Sequence, residues 1–498
     1  MEKDIELIRK NLGYYTGLTF WDTAILPKMK EESDNARRIM ERVKRLFQVA
    51  NKCQEVVVRH RNALIGNTPT WYIVNQQGER EESSTASAIA EHLRRLQAQW
   101  LRMSIGRYPL HSDPIAKAVD DALTTGYGYL RLWSPARFAK SANIYQRIGL
   151  HSPDIESVNI IRDNDEFVEK IEYTFIHKDE ALKEVQQLDE QGKTVFHWEN
   201  ANGDCPRGSA GGNRVTMDNG LDEIKLDLGG HFTVYEIKRS PLITDTVRRA
   251  QDAINHALTM MPTNIEYSGF LTRVVANGLP PGTWEVINGR ETFTPTGELL
   301  FSPGVTNFVA GIPTFDNAGN ILNYTTPSVS TEGIADVAPL INAYKTHCAV
   351  IYETTNQAHI LSSDMTISGI SRQQLRADFK TSLGTDKVAL EAILADCWAT
   401  ALFMLLQGQI ATIKKYDIIV DLLLELGEPS AEERAAVRED YKAGLLSQQT
   451  AISLNGYVDN PAAEVENIKQ ESQQLTTINE DVTNDVVDLP RPTVIDAA

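Results

Sequence analysis

The sequence has few cysteines and no cysteine pair. Its four cysteines lie far apart, none belongs to a CxxC motif, and none has a histidine at metal-ligand spacing: Cys53, Cys205, Cys348 and Cys397. Three of them lie in apolar or helical settings, where a small buried thiol is the favoured interpretation. The pattern fits a reducing, cytoplasmic environment. The N-terminal stretch MEKDIELIRKNLGYY has no apolar core of signal-peptide type, so secretion is not expected.

The sequence also lacks an excess of positive charge. It carries 49 lysines and arginines against 67 aspartates and glutamates, a net charge of -18 over 498 residues. This balance argues against a surface that grips nucleic acid by neutralising phosphates. It is compatible with a protein past which DNA slides without sticking, because a negative wall repels phosphates. The length predicts two to four structural modules, and the hydrophobic content of 42% is that of a globular protein.

Complete catalytic motifs are absent from the sequence. Gly192-Lys193-Thr194 ends like a phosphate-binding loop, but Gln187 stands where that pattern needs a glycine, so a turn between a helix and a strand is favoured. Asp163–Glu166 lacks the glycine and the distal glutamate of a calcium loop, which favours a β-turn. There is no HExxH, no GxSxG and no GxGxxG after a strand. We therefore expect neither enzyme activity nor a cofactor or metal.

One apolar run approaches the length of a membrane span. Val388 to Leu406 is long enough, but Glu391 and Asp396 interrupt it, and two acids are costly inside a bilayer. A helix buried in protein on most sides is the favoured interpretation, and no membrane partner is expected.

That run belongs to the most informative stretch of the chain, Ser330 to Gln407. Steps of three and four residues between apolar side chains predict a first helix from about Ile334 to Gln357. A polar break follows, from His359 to Gly369. Ser371 and Gln374 then have capping-box spacing and open a second, long helix. A helix, a polar loop and a long buried helix suit a ring protein that holds a loop out into a channel.

The remaining sequence predicts an α+β, mainly helical protein. Residues 1–110 are mainly helical, with a helix from Glu31 to Leu64 and others at 84–103 and 114–124. The first of these carries a basic face with acids interleaved, which favours a solvated or subunit-contacting surface over a nucleic-acid patch. Its candidate interface residues are Arg37, Arg38, Arg42 and Arg45.

From Gly126, a natural helix C-cap, the chain becomes β-rich to about residue 240. One polar helix, Asp179 to Glu190, and a Gly/Asn-rich loop at 200–220 interrupt this layer. A helix at 241–261 is expected to end at Pro262, and residues 263–329 form a small β-rich module. A second capping box begins a helical C-terminal module at Ser430, and the polar, acidic chain beyond Leu475 is expected to be disordered.

This order of elements and three of its segments resemble the portal proteins of tailed bacteriophages, the dodecameric rings at the genome-entry vertex of the capsid. RLFQVANKCQEVVVRHRNALIGNTPTW (45–71) is similar to the portal helix with Asn51 before it and Gly66 and Pro69 after it. AVDDALTTGYGYLRLW (118–133) is similar to the portal helix-to-strand step. YKAGLLSQQTAISLNGYVDNPAAEVENIKQE (441–471) resembles the C-terminal pattern, carried here by Gly444, Ser447, Thr450, Gly456, Asp459, Glu464 and Glu471.

The resemblance implies a ring-forming architecture with named parts. Transferred by position, the parts are a wing at 1–240 and 371–428, stem helices at 241–262 and 334–357, a clip at 263–333, a tunnel loop at 358–370, a crown at 429–475 and an acidic tail at 476–498. It also implies a place at the portal vertex of the virion, after assembly in the host cytoplasm. The implied partners are other copies of the chain, double-stranded DNA, the terminase large subunit, a head-completion or tail adaptor protein, and the major capsid and scaffolding proteins.

The resemblance also assigns roles to particular residues. The channel-facing tunnel loop would contain His359, Ser362, Ser363, Asp364 and Thr366. The clip residues that dock terminase and then the adaptor would include Arg273, Trp284 and Arg290. Unlike a loop that grips DNA through lysine, this one has no lysine between His359 and Gly369, so its contact with DNA would be steric or weakly polar.

Two other functions stay open at the level of sequence. One is an enzyme that acts on nucleic acid or its ends, and the other is a different viral head or tail component that shares helical segments. A ring of subunits separates the portal interpretation from both. An activity that depends on a metal or nucleotide would favour the enzyme.

Overall fold

A computed structural model gives the fold of this chain. It describes residues 3–23, 37, 41, 43–105, 107, 113–177, 180–199, 223–268, 273–280, 282–287, 290–296, 310–316, 321–331, 336–363, 369–424, 431–455, 464–465 and 467–468. The chain divides into two compact units, Met1–Leu422 and Leu423–Ala498. Several sequence predictions lie outside the described residues: Arg38, Arg42, Asp364, Thr366, Ser430, the loop at 200–220 and the tail at 476–498.

The first unit mixes helices with strands, as the α+β prediction requires. Residues 43–46 are helical, and the helices whose bounds the structure describes are α1 (Ile5–Thr16), α2 (Phe20–Thr23), α3 (Lys52–Ile65), α4 (Ser84–Ser104), α5 (Pro114–Thr125), α6 (Asp245–Ser268), α7 (Ala338–Thr354), α8 (Gly369–Leu405) and α9 (Ile410–Ile413). Its first nine strands are β1 (Thr70–Asn75), β2 (Tyr127–Trp133), β3 (Gly149–His151), β4 (Val158–Arg162), β5 (Val168–His177), β6 (Glu180–Leu188), β7 (Thr194–Glu199), β8 (Glu223–Leu226) and β9 (Val234–Lys238).

The remaining strands lie mostly between α6 and α7. They are β10 (Arg273–Ala276), β11 (Gly278–Leu279), β12 (Gly282–Ile287), β13 (Arg290–Pro295), β14 (Ala310–Gly311), β15 (Pro313–Phe315), β16 (Ile321–Tyr324) and β17 (Ser328–Thr331). Strand β18 (Tyr416–Asp421) follows α9. The described strands of the insert form antiparallel pairs, β10–β17, β11–β14, β12–β13 and β15–β16. A β-rich insert between two helices was predicted, and this arrangement agrees with it.

Two antiparallel sheets meet in the centre of the first unit. One has the order β3-β2-β9 and the other β4-β5-β6-β7-β8. Tyr129, Val158 and Ile171 are buried together between them, with Ile8 of α1 closing the cluster. The close approach of α5 to β2 depends on Gly128, whose position leaves no space for a side chain beside the carbonyl oxygen of Ala118. Gly126 caps α5 with a φ of 94°, as predicted.

A second layer joins distant parts of the chain. Strand β1 pairs with β18 in antiparallel register, from Thr70 opposite Asp421 to Asn75 opposite Tyr416. Helix α8 packs on β18 and buries Leu394, Trp398 and Leu402. Its segment Arg376–Leu405 is also long and apolar enough to cross a membrane by length and composition alone. Within its most apolar 18 residues 44% is buried inside the protein, so burial accounts for part of the apolar run.

The structure contradicts three predictions of secondary structure. The helix predicted from Glu31 to Leu64 is interrupted, because residues 47–50 are not helical and Asn51 starts α3 by accepting a hydrogen bond from the backbone N–H of Gln54. The polar helix predicted at Asp179–Glu190 is the strand β6, and the turn containing Gly192 therefore joins two strands. Pro262 lies inside α6 and does not end it.

The described part of the second unit is helical. Helices α10 (Ala431–Lys442) and α11 (Gln448–Asn455) pack on each other, and Arg434 Nε donates a hydrogen bond to the carbonyl oxygen of Asn455 at 3.1 Å. Gly444, with a φ of 74°, follows the first of them in the left-handed conformation typical of a glycine at a helix end.

Candidate functional site

Helices α6 and α7 pack side by side and carry the β-rich insert at their outer end. The pairing of β10 with β17, from Arg273 opposite Thr331, brings the end of α6 and the start of α7 together. The opposite halves of both helices are enclosed by the first unit, since Ile254 and Ile351 are fully buried. Towards the insert the helices become exposed, with Ile265 56% and Ile341 39% accessible. The insert thus stands away from the core on a helical pair.

The enclosed half of α6 is held by polar side chains. Arg248, Gln251, Asn255 and Thr259 follow one another at helical spacing, and all four are buried. Gln251 Oε1 accepts hydrogen bonds from the backbone N–H groups of Lys52 at 2.8 Å and Cys53 at 3.2 Å. These N–H groups belong to the first turn of α3, where no partner within the helix exists. Gln251 therefore caps a helix that lies almost 200 residues earlier in the chain.

The inner end of α7 is fixed to the same helix α3. Tyr352 donates its phenolic O–H to Glu55 Oε1 at 2.8 Å, and burial raises the pKa of Tyr352 to about 12. One turn later, Gln357 Nε2 donates to the carbonyl oxygen of Val56 at 2.8 Å. Between them the chain reverses at Asn356, which has a φ of 57°. These bonds fix the point at which the chain leaves α7.

The segment after α7 is more ordered than its polar composition predicts. Ala358–Ser363 form a 3₁₀ helix and α8 begins at Gly369, so the break predicted from His359 to Gly369 is helical at both ends, and residues 364–368 lie outside the described ones. The His359 ring lies 5.0 Å from the ring of Phe379 on α8. Burial, assisted by the nearby Arg376 and Arg59, lowers the pKa of His359. Of the predicted loop residues, His359 is packed against the body, Ser362 and Ser363 end the 3₁₀ helix, and Asp364 and Thr366 are among the residues not described.

An ionic cluster fixes α8 on the other side of this connection. Asp386 accepts hydrogen bonds from Arg239, which follows β9, and from His60 Nε2 of α3 at 2.8 Å. Burial lowers the pKa of His60, although its bond to Asp386 opposes that effect. His60 Nε2 thus lies between the Asp386 carboxylate and the Arg239 guanidinium, whose Nη1 is 3.2 Å away. The end of α7 and the middle of α8 therefore contact the same helix, α3.

The three predicted insert residues lie on two different strand pairs. Arg273 is in β10, whereas Trp284 and Arg290 lie at separate positions of the β12–β13 hairpin. Trp284 is 44% exposed and its ring lies 5.3 Å from that of Phe293. The β15–β16 hairpin adds further exposed apolar side chains, among them Phe315, Leu322 and Tyr324. The described residues of the insert therefore include several exposed apolar side chains.

The predicted basic face is described in part. Arg37 and Arg45 are exposed, and Arg38 and Arg42 lie outside the described residues. The segment that carries Arg45 packs through Val43 against Trp21, Phe47 and Met260. Its apolar side thus contacts α6 through Met260, whereas Arg37 and Arg45 are exposed.

The described residues were compared with the requirements of a metal site and of a reactive thiol. No group of three histidine, cysteine, aspartate or glutamate side chains within them has an arrangement that could hold a metal ion. Cys53, Cys348 and Cys397 are buried, and burial raises the pKa of Cys53 to about 12.

Sequence reasoning missed the residues that position this site. Gln251 and Gln357 have no motif around them, and their partners lie 199 and 301 residues away. One signal was present, because four polar side chains at helical spacing on α6 indicate a buried polar face. No protein-family model matches the chain, and no curated protein matches its sequence significantly. Its function is therefore inferred from its own residues.

Proposed function

We propose that this chain is the subunit of a phage portal, a ring through which double-stranded DNA enters and leaves a viral capsid. The observation that carries the proposal is the helical pair α6–α7, enclosed by the body at one end and bearing a β-rich insert at the other. In a portal this pair is the stem, the insert is the clip, and the body is the wing. The short connection that follows α7 then occupies the place of the tunnel loop.

The charge of the chain supports passage of DNA without tight binding. A net charge of -18 per subunit, repeated around a ring, repels phosphates from most of the surface. DNA of any sequence must pass, so reading of base edges would hinder transport. The loop at 358–370 then restrains the duplex by its shape and weak polarity, and the force for packaging comes from a separate terminase ATPase.

The exposed apolar side chains of the stem and clip support a role in assembly. Ile265 and Ile341 lie on the outer halves of the stem helices, where neighbouring subunits of a ring would cover them. The clip, with Trp284 exposed and Arg273 and Arg290 on its strands, is proposed to dock terminase first and the head-completion or tail adaptor afterwards. Scaffolding and major capsid proteins would contact the wing and crown. No membrane, metal or cofactor enters this proposal.

Deletion of Ser362–Thr366 tests the channel role of the loop. The chain enters this segment after the anchored Gln357, and α8 begins at Gly369, so Gln357 and the start of α8 both remain in the deletion variant. We expect rings to assemble normally while DNA packaging or retention is strongly impaired, measured as packaged DNA per capsid in a defined packaging reaction.

A deletion of the same length provides the control. Gly208–Gly212 lies in the Gly/Asn-rich stretch, and removing it should leave packaging unchanged. Normal packaging by the Ser362–Thr366 deletion would contradict the channel role. Failure of that variant to fold would show that the segment belongs to a core.

A further inference from the structure

An arginine-rich surface of the wing has no role in the proposal above. The segments 92–112 and 122–153 contain eight arginine or lysine side chains and no carboxylate, in a chain that is strongly acidic overall. One of the eight, Arg131, is buried and pairs with Glu184. The other seven define the arginine patch: Arg94, Arg95, Arg102, Arg107, Arg137, Lys140 and Arg147, all of which are exposed. Glu91, just before the first segment, pairs with Arg95 at 2.7 Å and Arg94 at 3.3 Å, so the excess positive charge of the patch comes mainly from the other five.

Contacts between α4 and the chain after β2 make this patch continuous. Arg95 lies with its Cζ 5.8 Å from the ring centre of Tyr145, and Arg107 lies 5.5 Å from that of Trp133. Trp100 Nε1 donates to the carbonyl oxygen of Ile148 at 2.9 Å, which joins the two segments underneath. Stacking on aromatic rings holds guanidinium groups in place and reduces the entropy lost on binding.

Exposed apolar side chains lie beside the arginines of the patch. Leu101, beside Arg102 on α4, is 43% exposed, and Ile105, which directly follows the helix, is 64% exposed. Duplex DNA presents phosphates to a protein surface but no apolar face of matching size. An occupant that covers both kinds of side chain is therefore a protein surface with acidic and apolar groups together.

This chain carries such a surface at the turn between β4 and β5. We define the acidic turn as residues 163–169, which expose four carboxylates, Asp163, Asp165, Glu166 and Glu169, around Phe167. Phe167 is 72% exposed. The Asp163 carboxylate accepts hydrogen bonds from the backbone N–H groups of Asp165 and Phe167, each at 2.9 Å, so the turn has a fixed shape.

We infer that the acidic turn of one subunit docks on the arginine patch of the next. Arg162, beside the turn, pairs with Glu236, which is opposite Tyr129 near the start of β2. The patch lies at the other end of that strand, beside Trp133. The two surfaces are thus different regions of one subunit, as a head-to-tail contact requires, and repetition of such a contact yields a ring or a filament. This inference rests on the proposed function, because a portal requires a closed ring of subunits.

Charge reversal tests this contact. The first variant combines Asp165→Lys with Glu169→Lys, which keeps the turn-forming Asp163, and the second combines Arg102→Glu with Arg107→Glu. All four side chains are exposed, so folding, checked by circular dichroism, should be preserved. We expect each variant alone to self-associate about tenfold or more weakly than the native chain in sedimentation velocity.

Restoration of the contact is the decisive result. A chain with all four changes should associate again, and so should an equal mixture of the two variants, because each reversed surface then meets its complement. Native association of either variant alone, or dissociation that neither combination repairs, would overturn the inference. If the variants still form rings, the contact is wrong and the portal proposal stands. If the native chain stays monomeric, both fail.

Phe167 provides a test that does not depend on charge. Phe167→Ser should weaken self-association, whereas Ile176→Ser should not, although Ile176, near the far end of the strand β5 that follows the turn, is 79% exposed. Equal association of both variants would overturn the role of the turn.

Binding of a short fluorescent DNA duplex tests whether the arginine patch holds nucleic acid instead of the acidic turn. Loss of duplex binding on reversal of the patch, with self-association unchanged, would assign the patch to nucleic acid and contradict the inference.

Discussion

Replacing Gly128 by alanine is expected to destabilise the first unit by about 3 kcal/mol or more. A β-carbon at this position would overlap with the carbonyl oxygen of Ala118 and lie 3.1 Å from the Ala122 side chain. Both belong to α5, which is buried along most of its length and capped at Gly126. The helix therefore cannot move away without breaking its contacts with β2. We expect a large fall in the thermal unfolding midpoint, or insoluble protein.

The same substitution at Gly384 is the matched control. A β-carbon there meets nothing within 4 Å, and the residue lies within α8. Alanine should stabilise the helix by about 0.5–1 kcal/mol because glycine loses more backbone entropy on folding. Opposite shifts of the two midpoints are expected. A Gly128→Ala protein that unfolds at the native temperature would contradict the close packing of α5 on β2.

Replacing Glu184 by alanine is expected to cost about 3–5 kcal/mol of the free energy of unfolding. Its side chain is fully buried and pairs with Arg131 at 2.7 Å, and the Arg131 side chain is 3% exposed. The guanidinium also stacks on Tyr173, with its Cζ 4.4 Å from the ring centre. Removal of the carboxylate leaves a buried positive charge without its main counter-ion. Chemical denaturation of the variant measures the loss.

A double substitution separates the charge from the packing. Arg131→Met combined with Glu184→Leu removes both charges and keeps similar volumes, so it should recover much of the stability lost by Glu184→Ala. If the double variant is as unstable as the single variant, the cost arises from packing or from the bonds of Gln186 and Trp198 to Glu184. That result would contradict an unpaired charge as the cause.

Several helix ends and turns that depend on the backbone preferences of one or a few neighbouring residues were predicted correctly from the sequence. Gly126 ends α5 and Pro114 lies in its first turn, and both follow from backbone preferences of single residues. The turn at Asp163–Glu166 was predicted from its composition and forms between β4 and β5, with Glu166 donating to the carbonyl oxygen of Asp163 at 3.2 Å. These features need no partner from elsewhere in the chain.

Elements decided by distant partners were predicted wrongly. The segment EALKEVQQL has strong helix formers, but as β6 it lies between β5 and β7 and turns Glu184 towards Arg131. Pro262 was interpreted as a helix end, yet α6 continues through it and Thr263 Oγ1 donates to the carbonyl oxygen of Thr259 at 2.7 Å. The pairing of β1 with β18 joins residues about 350 positions apart, beyond the reach of local patterns.

The candidate site was predicted in outline and missed in detail. The order helix, polar break, long helix follows from periodicity and agrees with α7, the connection and α8. The site is held in place by Gln251, Gln357 and Asp386, which all bind α3. They come from three segments that are distant from α3 in the sequence, so no local motif could predict these contacts.

The central claim is that this chain assembles into a ring around a channel, and native mass spectrometry of the purified full-length chain tests it most directly. The portal proposal predicts a closed assembly of about twelve identical subunits, each placing one helical pair around a common axis. The same assembly should appear as an annular particle in electron microscopy. A stable monomer or dimer, with no larger closed species at any protein concentration tested, would contradict the proposal.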